Sequence, residues 1–305
     1  MHHSPFPYII ASSVPKFNLF IDFYIFLIYN SAIGFPVTLS VADKPTNMEA
    51  FMFNLNEGLW YYIVSVANDG LEDWKIILLS VSFAFIAIAA GYLLGSINSA
   101  IIISRLLYGD DIRRHGSGNA GMTNMLRTYG KQAAVLTLVG DLAKTVIAVV
   151  IGSVLGGFGY IGGISVGGAC VMPLNYMAGL AAVIGHILPI YYKFKGGKGV
   201  LCTATLALVL TPIEFGILLL LFVAVVAMSK YVSLGSVSVA VLYPVLVHSH
   251  FSINGAKPNG VLSLVTILLA IIIVYCHREN LKRISEGTER KLSVGGKKKR
   301  DGDSK

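Results

Sequence analysis

The segment Phe194–Lys195–Gly196–Gly197–Lys198–Gly199 sets two lysines among three glycines, between long apolar stretches. Glycines let backbone N–H groups converge on an anion, and lysine adds a mobile positive charge. The chemistry this pattern suits is phosphate binding, and the apolar flanks put it at a membrane face. The alternative is a flexible basic turn, and the loop alone does not choose between the two. It is not the phosphate loop of nucleotide hydrolases, which needs G-x-x-x-x-G-K followed by Ser or Thr to hold magnesium. Here Gly199 follows Lys198, which argues against an ATPase.

A second donor-dense segment runs Gly116–Ser117–Gly118–Asn119–Ala120–Gly121–Met122–Thr123–Asn124, with Arg127 three residues on. It offers hydroxyls, amides and a guanidinium able to hold phosphate by two hydrogen bonds. A Ser/Gly loop capping a helix from near Thr123 is the competing reading, and the density of donors beside an arginine favours a site. Ser229 to Ser236, with Ser233 inside it, is a third polar junction that by itself reads as a helix cap. Asp141 and Lys144 lie three apart inside an apolar run and read as an ion pair on one helix face. His186 reads as a hydrogen-bonded helix histidine. His277 and Asn280 share a face where the last apolar run ends, and are better site candidates. Cys170, Cys202 and Cys276 have neither metal-ligand nor disulfide spacing and read as packing residues.

The elements that must position these groups are membrane helices. The chain is 55% hydrophobic and 13% charged, with mean hydropathy +0.70. Ordinary globular chains carry about 25% charge. The net charge of +8 is no sign of nucleic-acid binding, because its lysines and arginines fall in short segments between apolar runs. Those runs are about Ile76–Leu107, Ala133–Leu155, Leu174–Tyr192, Val200–Leu210, Ile213–Met228, Val232–Val247 and Val261–Tyr275. A chargeless glycine-rich connector, Gly156 to Pro173, follows the second, and Thr211–Pro212–Ile213 marks a tight reversal. Basic residues cluster after the first, third, fifth and seventh runs, while the other connectors hold only Lys257. The positive-inside rule then predicts seven transmembrane helices, with the tail and all the unusual polar motifs on the cytoplasmic side.

The chain divides into an N-terminal extension (1–75), an all-α seven-helix domain (76–292) and a basic cytoplasmic tail (293–305). Within the extension, Phe17–Val41 is apolar but carries Asp22 and Asn30, and Asp43–Lys75 is rich in acid. Phe17–Val41 has several open readings: an eighth span, an interfacial helix, a signal-like segment cleaved near Ser40–Val41–Ala42, or the result of a start site assigned too early.

Taken in order, these motifs resemble one family. The residues that carry the resemblance are Gly91–Tyr92–Leu93–Leu94–Gly95–Ser96–Ile97, Asp111–Ile112–Arg113, Gly116–Ser117–Gly118–Asn119, Thr123–Asn124 with Arg127, Asp141 with Lys144, Gly185–His186 with Pro189, Phe194 to Val200, Ser229 to Ser236, and His277–Arg278–Glu279–Asn280. Over about Ile76–Leu292 the chain resembles the bacterial membrane-integral acyl-phosphate:glycerol-3-phosphate acyltransferases. Asn98 stands where that family usually has proline, Met122 where alanine is usual, Leu188 where phenylalanine is usual and Thr145 where glycine is usual.

The resemblance implies transfer of an acyl group from acyl phosphate to the sn-1 hydroxyl of glycerol 3-phosphate, giving lysophosphatidic acid and phosphate, at the cytoplasmic face of a bacterial inner membrane. It implies catalytic roles for Ser117, Arg127, Lys198, His277 and Asn280. Substrate-binding roles fall to Gly118, Asn119, Thr123, Asn124, His186, Gly196, Gly197, Gly199, Ser233 and Ser236. Its expected partners are the two substrates and membrane lipid, with no cofactor, metal or nucleic acid. Two other readings compete. An organic-phosphate transporter would string basic groups through the bilayer or show repeated halves, whereas here the polar motifs gather on one side and no repeat is visible. A non-catalytic scaffold would not need Lys198, Arg127, His277 and Asn280 together.

The charge pattern makes a direct prediction. A cysteine placed at Ser117 or Gly295 should react with an impermeant thiol reagent only from the cytoplasmic side, and one placed between Gly156 and Gly168 only from outside. Labelling of Ser117 and of the Gly156–Gly168 connector from the same side would end the seven-span topology.

Overall fold

The computed structural model describes residues 59, 73–156, 164–166, 169–253 and 260–292. Phe17–Val41 and the basic tail fall outside these residues. The first apolar run folds as two helices, α1 (Asp73–Gly95) and α2 (Ser99–Tyr108), broken at Ser96–Ile97–Asn98. Asn98 explains the break: its side-chain oxygen accepts the Ile101 N–H at 3.1 Å, a helix N-cap at the place where the resembled family has proline. Gly109, at φ 65°, ends α2. A 3₁₀ turn (Ile112–Arg114) and α3 (Met122–Tyr129) follow, then α4 (Lys131–Gly156). Two short strands, β1 (Ile164–Val166) and β2 (Ala169–Met172), pair antiparallel with Ser165 opposite Cys170, inside the connector read as chargeless and glycine-rich. The architecture is otherwise helical, as expected.

The chain continues through α5 (Leu174–Ile187), a 3₁₀ turn (Ile190–Tyr192), α6 (Val200–Leu210), α7 (Pro212–Ser229), α8 (Val232–Ile253), α9 (Gly260–Cys276) and α10 (Arg278–Ser285). Pro212 starts α7, where its missing N–H costs nothing, so Thr211 is the reversal read from the sequence. Lys230, left-handed at φ 64°, turns α7 into α8.

All seven apolar runs are helical, but their lengths differ. Five stretches are long and apolar enough to cross a bilayer: Trp74–Tyr108, Lys131–Gly156, Leu174–Tyr192, Pro212–Ser229 and Val232–Ile253. Gly260–Cys276 with Arg278–Ser285, bent by 52°, makes a sixth if taken as one span. Helix α6 has 11 residues; at 1.5 Å per residue it reaches about half of a roughly 30 Å hydrocarbon layer. Apolar side chains such as Phe85, Leu106 and Leu220 remain exposed around the bundle, which is the surface lipid requires. The protein is a multi-pass membrane protein.

With little hydrophobic drive between helices in lipid, close backbone packing takes over. Helix α1 lies on α5 through Gly91, Gly95 and Gly185, where an added Cβ would sit 2.3 Å from Ala178 O, 2.2 Å from Ala182 O and 2.3 Å from Tyr92 O. A larger apolar core joins α5, α6, α8 and α9 around Tyr176, Leu206, Tyr243, Leu262 and Leu269. Between these regions sits a buried charge cluster. Lys144 Nζ lies 2.8 Å from Asp141 Oδ1 on the same helix, donates to Ile97 O at 2.9 Å, and lies 2.9 Å from His186 Nδ1. The expected ion pair is present, and it also binds the α1–α2 break to α4 and α5.

Gly91→Ala should force α1 from α5 and destabilise the bundle by about 1–3 kcal/mol. The melting midpoint of detergent-purified protein should fall by several degrees. Gly216→Ala, with nothing near its Cβ position, should leave it unchanged or slightly raised. Equal midpoints for the two variants would refute this packing account.

Candidate active site

The loop between α2 and α3 is fixed by two knots. Asp111 takes both Arg113 (2.9 and 2.7 Å) and Arg105 (2.8 Å) on its carboxylate. The Arg113 fork, helped by Arg105, holds the Asp111 carboxyl well below the usual range against the opposing pull of burial. Arg113 Nη1 donates onward to Tyr192 O (2.9 Å) and Lys195 O (3.1 Å), tying this loop to the glycine loop. Asn124, buried in α3, is the second knot. Its Oδ1 accepts the Ser117 N–H at 3.1 Å, and its Nδ2 donates to the carbonyls of Ile112, His115 and Asn119. Its amide therefore shapes the serine-glycine segment around Ser117.

The glycine loop closes on the end of α5. The Gly196 N–H donates to Ile187 O at 3.1 Å and the Gly197 N–H to His186 O at 3.0 Å. A Cβ on Gly197 would stand 2.0 Å from His186 Nε2 and 2.8 Å from Ala120 O. These two glycines are thus required for backbone-to-side-chain contact, and their amides are spent on carbonyls rather than turned toward a ligand. Asp141, His186 and Cys202 bring a carboxylate, an imidazole and a thiol within 4.8 Å of one another, the spacing a metal would use. The Lys144 ammonium, in contact with both Asp141 and His186, already supplies a cation there.

The third part comes from α8 to α10 and the chain beyond. Glu289 Oε1 accepts from Asn280 Nδ2 (2.7 Å) and Ser233 Oγ (3.0 Å), and Oε2 accepts from Arg283 Nε (2.8 Å). Burial pushes the Glu289 carboxyl up, but these three donors together hold it below its ordinary value. Asn280 turns its oxygen to Lys198 Nζ. Burial and the Arg283 charge push the Lys198 ammonium down to about 8. His277 Nδ1 lies 2.8 Å from Ile273 O; a carbonyl only accepts, so that nitrogen carries the proton and Nε2 is left as an acceptor. The Leu292 N–H closes the segment onto Lys230 O at 2.7 Å.

These parts surround one cavity of about 1020 Å³. Ser117, Asn119, Thr123, Asn124, Arg127, His186, Lys198, Gly199, Ser233, Ser236, His277 and Asn280 line it, whereas Gly118, Gly196 and Gly197 do not. Its polar end carries Arg127, Lys198, Arg283 and Arg290 with Glu289; its other end is Phe215, Leu218, Leu219, Phe222 and Tyr243. Sequence reasoning missed Arg283 and Glu289. Arg283 sits one turn beyond Asn280 on α10, a spacing that could have marked it, while Glu289 lies in an irregular segment with no local signal. A surplus of positive charge at one end and an apolar channel at the other fit a ligand with an anionic head and a hydrocarbon tail.

An amphiphile site built between membrane helices defines the class as a membrane-integral, lipid-handling protein. The sequence profile of the family "Glycerol-3-phosphate acyltransferase" matches residues 85–287, and the chain belongs to that family of enzymes. It is similar to the glycerol-3-phosphate acyltransferase of Syntrophomonas wolfei (42% identical over 202 residues, 66% of this chain and 93% of that protein). That of Salinibacter ruber is 43% identical over 204 residues, 66% of this chain and 89% of that protein. Among solved structures, the glycerol 3-phosphate form of PlsY, an integral membrane glycerol 3-phosphate acyltransferase, superposes with a TM-score of 0.59 at 30% identity, covering 69% of this chain and 96% of that one. The lysophosphatidic acid form of PlsY gives 0.57 at 28% identity, covering 69% and 95%.

Asn124→Ala would remove the acceptor of the Ser117 N–H and the amide contacts to three carbonyls, a loss of about 1–3 kcal/mol. The expected result is a lower melting midpoint and faster hydrogen exchange at Ser117. Unchanged exchange there would remove Asn124 as the organiser of the loop.

Proposed function

We propose that this protein transfers an acyl group to glycerol 3-phosphate, with acyl phosphate as donor and the sn-1 hydroxyl as acceptor, at the cytoplasmic face of a bacterial inner membrane. The single observation that carries this reading is the two-ended cavity. Two phosphate-bearing substrates need the cations Arg127, Lys198, Arg283 and Arg290 at its polar end, and the donor's acyl chain needs the apolar end. Membership of the family supports the acceptor. The basic connectors on the side of the polar end support the cytoplasmic placement.

In this reading the acceptor hydroxyl oxygen bonds to the acyl carbonyl carbon, the carbonyl–oxygen bond to phosphate breaks, and inorganic phosphate leaves. Phosphate is already a good leaving group, so positioning and electrostatics supply the acceleration. Arg127 and Lys198 neutralise the phosphates, and Ser117, Thr123 and Ser236 offer hydroxyl contacts. The hydroxyl proton has two acceptors, the departing phosphate and His277 Nε2. Asn280, held by Glu289, fixes Lys198. Gly196 and Gly197 serve by setting the loop on His186. All the groups named in this reading fall within 76–292, the stretch read from the sequence as a seven-helix domain.

One assay tests donor and loop together. Purified protein with palmitoyl phosphate and glycerol 3-phosphate should release phosphate and form a monoacyl product, while palmitoyl-CoA should give none. Efficient use of the CoA ester would overturn the donor. Lys198→Ala should lower kcat/KM at least about tenfold through loss of a charge-assisted contact. Because Lys198 titrates near 8, its charge is present below that pH and lost above it. The KM for glycerol 3-phosphate should therefore rise above pH 8 in the native protein and stay flat to higher pH in Lys198→Arg. Near-normal kcat/KM in Lys198→Ala would reject the lysine's role.

A further inference from the structure

A second concavity, of about 400 Å³, lies outside the cavity just described and is lined by Arg105, Asp111, Arg113, Arg114 and the run Tyr191–Tyr192–Lys193. Four of these side chains are cationic and one is a carboxylate. Asp111 is consumed by Arg105 and Arg113 at 2.8 and 2.7 Å, so it offers nothing to the others. Among the described residues Arg114 pairs with Asp110 alone, at 3.8 Å, and His115 holds that carboxylate at 2.5 Å. Lys193 has no acidic partner among the described residues. Among the described residues, the concavity therefore holds positive charge without matching acid.

Its setting is interfacial. Arg105 lies over the Tyr192 ring, 5.6 Å from its centroid. Leu106 and Leu107, next in the chain, are 77% and 60% exposed, and Ile190 and Tyr191 are 47% and 55% exposed. Exposed aliphatic side chains under a ring of arginine, lysine and tyrosine are what a leaflet boundary selects. The backbone also holds this shape against its preference. Lys193 and Phe194 both take left-handed conformations at φ 57°, a costly arrangement for two successive non-glycine residues. That turn leaves Tyr191, Tyr192 and Lys193 on this concavity while the chain goes on to place Lys198 in the other cavity.

We infer that this pocket binds the phosphate headgroup of an anionic phospholipid, with Arg105, Arg114 and Lys193 on the phosphate and the lipid's chains along Leu106, Leu107 and Ile190. Arg113 lies beneath these groups, its guanidinium engaged with Asp111, Tyr192 O and Lys195 O. The site is separate from the reaction cavity and does not depend on which reaction runs there.

The test uses the full-length protein in phosphatidylcholine nanodiscs carrying spin-labelled phosphatidylglycerol, with spin-labelled phosphatidylcholine as the reference. Native protein should immobilise the anionic lipid selectively. R114Q/K193Q removes two exposed charges that make no backbone contact, and should cut that selectivity by about tenfold. It should leave acyl transfer at saturating substrate unchanged, which also shows that it folds. R278Q/K282Q removes the same charge from exposed positions on α10 and should keep the selectivity. Equal losses in the two double variants would show a diffuse positive surface and overturn the site. So would full selectivity in R114Q/K193Q. Displacement of the anionic lipid by low-millimolar inorganic phosphate would assign the pocket to free phosphate and overturn the lipid assignment.

Discussion

A single buried ammonium holds the architecture together. Lys144 is 5% exposed, inside a helix flanked by lipid-facing side chains, and it reaches three elements at once: Asp141 on its own helix, the Ile97 carbonyl at the α1–α2 break, and His186 near the end of α5. A lone charge there would be too costly to keep, and removing one partner of a buried pair typically costs about 3–5 kcal/mol. The arrangement therefore ties the break made by Asn98 to α4 and to the end of α5. His186, so oriented, is the surface on which Gly197 rests. The position of Lys198 in the cavity follows from that seat, several contacts away from the charge that secures it.

The polar end of the cavity has the same economy. One carboxylate, Glu289, gathers Asn280, Ser233 and Arg283, and Asn280 passes the constraint to Lys198. Four cations sit there with one carboxylate, a surplus that suits an anionic ligand. The apolar end needs no such device. Its walls are side chains of α6, α7 and α8 that would face a hydrocarbon medium in any case.

The helical membrane architecture was legible because apolar runs and the alternation of basic connectors are properties of the chain itself. The convergence of Ser117, Arg127, Lys198, His277 and Asn280 was legible through their shared side of the membrane and the family resemblance. What the sequence could not separate was two uses of glycine. Gly196 and Gly197 look the same whether they cradle an anion or allow a close approach to His186, and only the direction of their N–H groups tells these apart. Glu289 was hidden for a different reason. It reaches the site by a backbone reversal after α10, where Thr288 and Glu289 donate to Arg283 O, and no periodicity announces such a return. The length of α6 was written in Gly199 and Pro212, but its shortness matters only against the thickness of a bilayer.

Leu219 lines the apolar end of the cavity and is 46% exposed, on α7, one of the helices long and apolar enough to cross a bilayer. An exposed wall on such a helix would give the cavity a side door at the level of the hydrocarbon. A single-chain amphiphile would then enter and leave within the plane of the leaflet, with its supply set by its mole fraction among the lipids. Doubling the bilayer at a fixed amount of that amphiphile would halve its encounter rate with the cavity, even though the bulk concentration had not changed. The water-soluble partner would feel no such dilution, so one pocket would answer to a two-dimensional and a three-dimensional concentration at once.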